Sequence, residues 1–171
     1  MDVVTAIRQR KSVRSYQDRS IDEDTLRRVL DAGRTAPSAG NRQDWKFVVV
    51  TDAETKKRLA VAARGQMFIS QAPVIIAGCA IAPDYVMMCG QSAGIIDVSI
   101  AFSFMMLQAT ELGLGTCWLG AFDEFAVKNI LGIPDHVRVV AMTPLGYPAE
   151  APAGRSRKSL DEVVCRDQYR D

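Results

Sequence analysis

The chain has 171 residues, 48% of them hydrophobic and 24% charged, and its 21 Lys and Arg against 20 Asp and Glu leave a formal net charge of only +1. That is the profile of an ordinary soluble globular domain with a sizeable core, and a near-neutral balance argues against a nucleic-acid binder. One histidine and four scattered cysteines without a Cys-x-x-Cys pair are too few ligands for zinc or an iron–sulfur cluster, so any redox chemistry needs an organic cofactor.

In chain order, Asp2 caps a first helix running to about Arg10, and Asp22, with Ile21 as a staple, starts a second through about Gly33. Leu26, Val29 and Leu30 recur on that second helix at helical spacing. Residues 45–51 are rich in β-branched side chains and predict a strand. Helical patterns return over 53–63 and briefly over 66–70. Pro73 opens an apolar strand over 74–81, and a loop with Tyr85, Met87, Met88 and Cys89 follows. A long helix over 92–112 is apolar round nearly its whole circumference, with Ala93, Gly94, Ser99, Ala101 and Ser103 permitting close approach. It is expected to be buried on all sides, inside one monomer or against a second subunit.

The most hydrophobic part of that helix, residues 95–107, is interrupted by Asp97 and Ser99 and is shorter than a membrane crossing requires. The first twelve residues lack the apolar core of a secretory peptide, so the expected location is the cytoplasm. Gly113-Leu114-Gly115 leads into a strand over 116–122 that breaks at Gly120. Asp123 caps a helix to about Leu131, and 137–145 forms a last buried strand. Residues 146–158 are irregular, 159–162 form one helical turn, and 163–169 read as extended. His136 follows Pro134-Asp135 and reads as solvent-facing, while Cys79 and Cys117 read as small core hydrophobes in a reducing compartment. Strands and helices do not alternate regularly, which argues for a single α+β domain over 1–171.

Two basic clusters stand out against the near-zero net charge: Arg10-Lys11-Ser12-Val13-Arg14 and Arg155-Ser156-Arg157-Lys158. Guanidinium forks, hydroxyls and backbone N–H groups are the donors a phosphate dianion takes. Solvated cations beside a helix end, or a nucleic-acid patch, are the other readings. No Gly-x-Gly-x-x-Gly or Walker loop is present, so a phosphate would be held mainly by side chains. Between the clusters lies Ala36-Pro37-Ser38-Ala39-Gly40-Asn41-Arg42-Gln43-Asp44-Trp45, turn-rich and crowded with amides and hydroxyls suited to a planar heteroaromatic ring. Phosphate at one end and a polar ring at the other point to flavin mononucleotide.

Along nearly its full length the chain resembles the FMN-dependent nitroreductases, as a short member. Arg10-Lys11-Ser12-x-Arg14-x-Tyr16 resembles their N-terminal signature, and Pro37-Ser38-Ala39-Gly40-Asn41-x-Gln43-x-Trp45 their central flavin motif. Residues 112–122 are similar to the segment along the flavin, and Gly146-Tyr147-Pro148 with Arg155-x-Arg157 to the closing phosphate element. The resemblance implies a mixed, mostly antiparallel sheet flanked by helices in an intertwined homodimer. It places Arg10, Ser12, Arg155 and Arg157 on the phosphate, with Lys11 adding backbone contacts or charge. Arg14 would stand by the N1 and C2-carbonyl side of the ring, supporting the reduced flavin electrostatically. Pro37, Ser38, Ala39, Asn41 and Gln43 would reach the flavin from the partner subunit, backbone groups at Leu119, Gly120 and Ala121 would line its N5 side, and Gln66 would hydrogen-bond the ring or ribityl chain.

The implied activity is ping-pong reduction of nitroaromatics, quinones or related small-molecule acceptors by NADH or NADPH. No general acid, metal, nucleic acid or membrane is called for. A flavin-storage protein, or a specialised reaction such as reductive dehalogenation or oxygen-dependent flavin chemistry, is the alternative on the same scaffold. Tyr85, Met87, Met88 and Phe122 are candidates for lining the acceptor site, with core packing as the plain alternative. The chain departs from the family pattern at Asp44, where proline is common; a looser turn and a negative charge there bear on substrate preference, unless the carboxylate simply faces solvent.

Overall fold

The computed structural model describes residues 1–170. Its helices are α1 (Val3–Gln9), α2 (Glu23–Arg34), α3 (Ala53–Ala62), α4 (Phe68–Gln71), α5 (Ala93–Glu111) and α6 (Glu124–Leu131), and its strands β1 (Trp45–Val50), β2 (Val74–Ala80), β3 (Gly115–Thr116) and β4 (Arg138–Gly146). Three helices open on the same device. Asp2, Asp22 and Asp52 each accept from the backbone N–H and hydroxyl of a threonine three residues on, Thr5, Thr25 and Thr55, satisfying donors that a helix start leaves orphaned.

The strands lie in the order β1-β2-β4-β3. Each neighbouring pair is antiparallel, so the expected mixed sheet reduces, among the described residues, to one isolated parallel bridge between Ser12 and Thr116. β2 is buried along its whole length, as its unbroken apolar run requires. Its alternation divides the core in two. Ile75, Ala77 and Cys79 pack with Leu59 of α3, Ile69 of α4 and Val127 of α6, whereas Val74, Ile76 and Ala80 pack with Leu26 and Val29 of α2 and Val98 and Phe102 of α5.

Two expectations need correction. The strand over 116–122 is only two residues long, Gly115–Thr116: beyond it the chain meets β4 again through the Cys117 N–H, which donates to the Thr143 hydroxyl, and one bridge, Leu119 with Met142, in which each residue donates to the other. Residues 163–169 are not extended, because a turn closed by the Val163 N–H on the Leu160 carbonyl leads into bends. Of the two ways left open for burying α5, the chain alone does not achieve it on every side. Asp97, Val98, Ala101 and Phe102 are inside, but Ile95 and Phe104 remain 45% and 41% exposed. By length and composition α5 is long and apolar enough to cross a membrane, yet it packs as a core helix between α2 and the sheet.

Candidate flavin site

The N-terminal basic cluster is carried by a strap, residues 10–17, laid across the end of the sheet. The Val13 N–H donates to Thr116, the Gln17 N–H to Tyr147, and the Ala149 N–H to Ser15; the Gln17 side chain donates to Pro148. Room for the strap comes from two glycines that face each other in register, Gly115 on β3 and Gly146 on β4. A Cβ on Gly115 would stand 2.5 Å from Val13, and one on Gly146 2.6 Å from Pro73 and 2.9 Å from Tyr16, so any larger residue would lift the strap. Tyr16 is buried, its hydroxyl donates to the Val13 carbonyl, and burial holds its ionisation well above the ordinary tyrosine range.

This strap sets the two distant clusters side by side. Ser12, Arg14 and Arg155 line one cleft of about 210 Å³, together with Ser15, Pro152 and the carboxylate-bearing Glu150. Lys11 reaches the same segment, its Nζ 3.9 Å from the Cβ position of Gly154. Burial raises the Cys117 thiol, and the positive charges of Arg14 and Arg10 act in the opposite sense. Arg157 stands apart: its Nη1 donates to the carbonyls of Arg155 and Ser156. The Ser12 hydroxyl, the Arg155 guanidinium and the nearby Lys11 ammonium form a donor set that suits a phosphate dianion, with Arg14 beside them and Glu150 as the one opposing charge on the lining.

The central motif is built differently. After Ser38 the chain makes a single 3-10 turn, Ala39–Asn41, and Gly40, Asn41 and Gln43 all take positive φ, near +59°, +55° and +55°. Two non-glycine residues in the left-handed region within one short loop imply strain held by surrounding bonds. Those bonds are present: Ser38 Oγ accepts from the Gln43 N–H, the Gln43 amide donates to the carbonyl and Oδ1 of Asn41, and the Ala39 N–H donates to Asp97. Asp44 does not simply face solvent. It accepts from Arg42 Nε at 2.6 Å, and the Arg42 guanidinium lies 4.4 Å from the centre of the Tyr85 ring. The charge that replaces the family proline is therefore matched inside its own loop.

Residues 37–43 line neither the cationic cleft nor two larger grooves, of about 690 Å³ between α2 and β1 and about 620 Å³ among α1, α2 and α5. On the third segment, Gly120 and Ala121 are exposed, as expected of groups that meet a ligand. Leu119 is buried in the core with its N–H and carbonyl both bonded to Met142, so it anchors the segment. Gln66 likewise spends its amide N–H groups on the carbonyls of Ala63 and Ala121. Of the residues suggested for the acceptor side, Tyr85 and Met88 are exposed, Met87 is half-buried and Phe122 packs against the core; His136, read as solvent-facing, is exposed. The residue that sequence reading passed over is Asp97. Its signal was a carboxylate inside the apolar stretch 95–107 of α5, read there only as an interruption.

The nitroreductase family model matches residues 7–147. The NADH dehydrogenase of Thermus thermophilus is 32% identical over 195 residues, covering 96% of this chain and 95% of the relative, and the FMN reductase [NAD(P)H] of Bacillus subtilis is 29% identical, covering 98% and 74%. The crystal structure of a nitroreductase family protein from Clostridium difficile superposes with a TM-score of 0.88 at 33% identity, covering 99% of this chain and 100% of that one. The strap, the strained loop and the antiparallel sheet that supports them thus sit in a chain that belongs to the nitroreductase family and is an oxidoreductase of that type.

Proposed function

We propose that residues 1–171 form a single FMN-binding domain of a homodimeric enzyme that uses NADH or NADPH to reduce nitroaromatics, quinones or related electrophilic acceptors by a ping-pong mechanism. The observation that carries the reading is the meeting of Ser12 and Arg14 with Arg155, from opposite ends of the chain, in one cleft. The FMN reductase among its relatives supports the choice of flavin.

When bound, FMN supplies the hydride-transfer chemistry. The protein's part is to bind, orient and stabilise. Ser12, Arg155 and Arg10 hold the phosphate, Lys11 adds charge, and Arg157 joins them once its side chain leaves its own backbone. Arg14 supports, as a fixed positive charge, the negative charge that builds up on reduction. The exposed backbone at Gly120 and Ala121 completes the contacts, held by Leu119 below and Gln66 beside. Solvent supplies the proton that the reduced acceptor needs, so no side chain has to act as general acid.

Pro37, Ser38, Ala39, Asn41 and Gln43 serve the flavin of the partner subunit. Three observations favour a second copy. Loop 37–43 lies off the cleft of its own chain. Val3, Val4 and Ile7 of α1 and Phe104 of α5 expose large apolar side chains around the groove among α1, α2 and α5. Every residue over 153–170 is exposed, an arrangement that buries little unless the segment lies on another chain. Purified protein should be yellow, release FMN on denaturation, and oxidise NADH or NADPH with menadione or a nitroaromatic. Turnover no faster than that of free FMN would mark a flavin-storage protein instead, and product analysis with and without oxygen would reveal a specialised reaction.

A further inference from the structure

We infer that Asp97 is a positioning residue for the flavin, acting through loop 38–43. The inference rests on the flavin reading above and goes beyond it in naming the group that sets the loop's shape.

Asp97 lies in the second turn of α5 with only 3% of its surface exposed, on a helix whose other inward residues, among them Val98, Ala101 and Phe102, are apolar. A carboxylate in such a place is costly unless it does something that an apolar residue cannot. Its recorded partner is the Ala39 N–H, which donates to Oδ1 at 3.1 Å and Oδ2 at 3.2 Å across 58 positions of sequence. That bond fixes the first residue of the 3-10 turn, immediately before the left-handed residues Gly40 and Asn41. Beyond them the loop is held by its own bonds, from Gln43 to Ser38 and Asn41, and by the Arg42–Asp44 pair stacked against Tyr85. The Ala39 bond therefore ties a strained and otherwise self-contained loop to the rigid core. Removing it leaves the side chains of Ser38 and Asn41 intact but frees their orientation, so the loss appears in ligand affinity.

A purely structural carboxylate and a positioning one respond differently to apolar replacement. Asp97→Leu puts an apolar side chain among apolar neighbours and leaves only the half-buried Ala39 N–H without its partner, so thermal stability should change little. FMN affinity, titrated into the apoprotein by fluorescence quenching, should fall about tenfold, the scale of one lost hydrogen bond to a charged group. Asp97→Asn keeps an acceptor for Ala39 and should stay within about threefold of wild type. Hydrogen exchange should show the Ala39 amide protected in wild type and Asp97→Asn and unprotected in Asp97→Leu. Ala39→Pro deletes the donor instead, on a Ser38 backbone already extended at φ −141°, ψ 157° as a pre-proline residue needs, and gives the same affinity loss even if Asp97→Leu does not fold. Wild-type affinity in both Asp97→Leu and Ala39→Pro, or equal loss in Asp97→Leu and Asp97→Asn, overturns the inference while leaving the flavin reading in place. Failure of the wild-type apoprotein to bind FMN overturns the flavin reading and this inference together.

Discussion

The cationic cleft gathers residues from both ends of the chain and is framed by backbone bonds on each side of the strap, whereas loop 37–43 is held from within by Asp97 and lines none of the three cavities described above. One half of the candidate site is thus assembled inside a single chain. The other half has its conformation fixed in advance but no ligand surface opposite it. A strained loop is worth bracing when something rigid must dock against it, and on the reading proposed above that surface belongs to a second copy. On that reading the division also separates charge from shape: the cleft offers guanidinium and hydroxyl donors, the loop a backbone held in an uncommon conformation.

The widest test of the comparison strikes what both halves share. Phe102 is fully buried on α5, stacks edge-on against Trp118 and tilts against Phe47 of β1, so Phe102→Ala should destabilise the fold by about 3–5 kcal/mol in a denaturant melt and loosen both halves together. Arg14→Ala with Arg155→Ala should act on the cleft alone, weakening FMN binding on the order of a hundredfold with an unchanged circular dichroism spectrum. Arg157→Ala should weaken FMN binding about as much as Arg155→Ala, because on the proposed reading its guanidinium leaves its own backbone for the phosphate; a loss of less than about threefold would show that it stays folded back. Truncation after Leu160 should weaken the dimer roughly tenfold by sedimentation, because it removes part of the exposed tail, and leave the melting of the monomer fold unchanged.

The smallest effect is in acid. Asp2 is held below the ordinary carboxylate range by the Thr5 hydroxyl, and Asp22 by the Thr25 N–H. A group whose folded pKa is lowered contributes stability that is present above its unfolded value, near 4, and is lost as pH falls through the lowered folded value. Asp2 caps the helix that leads into the strap and Asp22 the helix that leads into the loop, so both halves should begin to fray together below about pH 4. Asp22→Asn keeps a capping acceptor, and its melting temperature should fall less between about pH 5 and 2 than that of wild type.

Much of this was legible before any coordinates. The aspartate caps, the apolar run of β2 and the paired basic clusters are local signals, and each folded as its residue types dictate. What escaped reading is relational. The tail over 163–169 carries strand-forming residues, but extension needs a sheet edge to pair with, and within one chain it takes turns instead. Residues 116–122 read as a strand, yet after Thr116 β4 offers them only the Thr143 hydroxyl and the Met142 bridge. The Ala39–Asp97 bond spans 58 positions, and nothing in either neighbourhood announces the other. Asp44 was judged against a missing proline, whereas its partner, Arg42, stood two residues away.

Subunit complementation tests the split site most directly. A chain carrying Arg14→Ala and Arg155→Ala is mixed with one carrying Asn41→Ala and Gln43→Ala, each unable to retain FMN as a homodimer. A site shared across the seam predicts that the heterodimer regains one intact site and binds one FMN per pair of chains. A heterodimer that binds none, with both chains folded and associated, would contradict it.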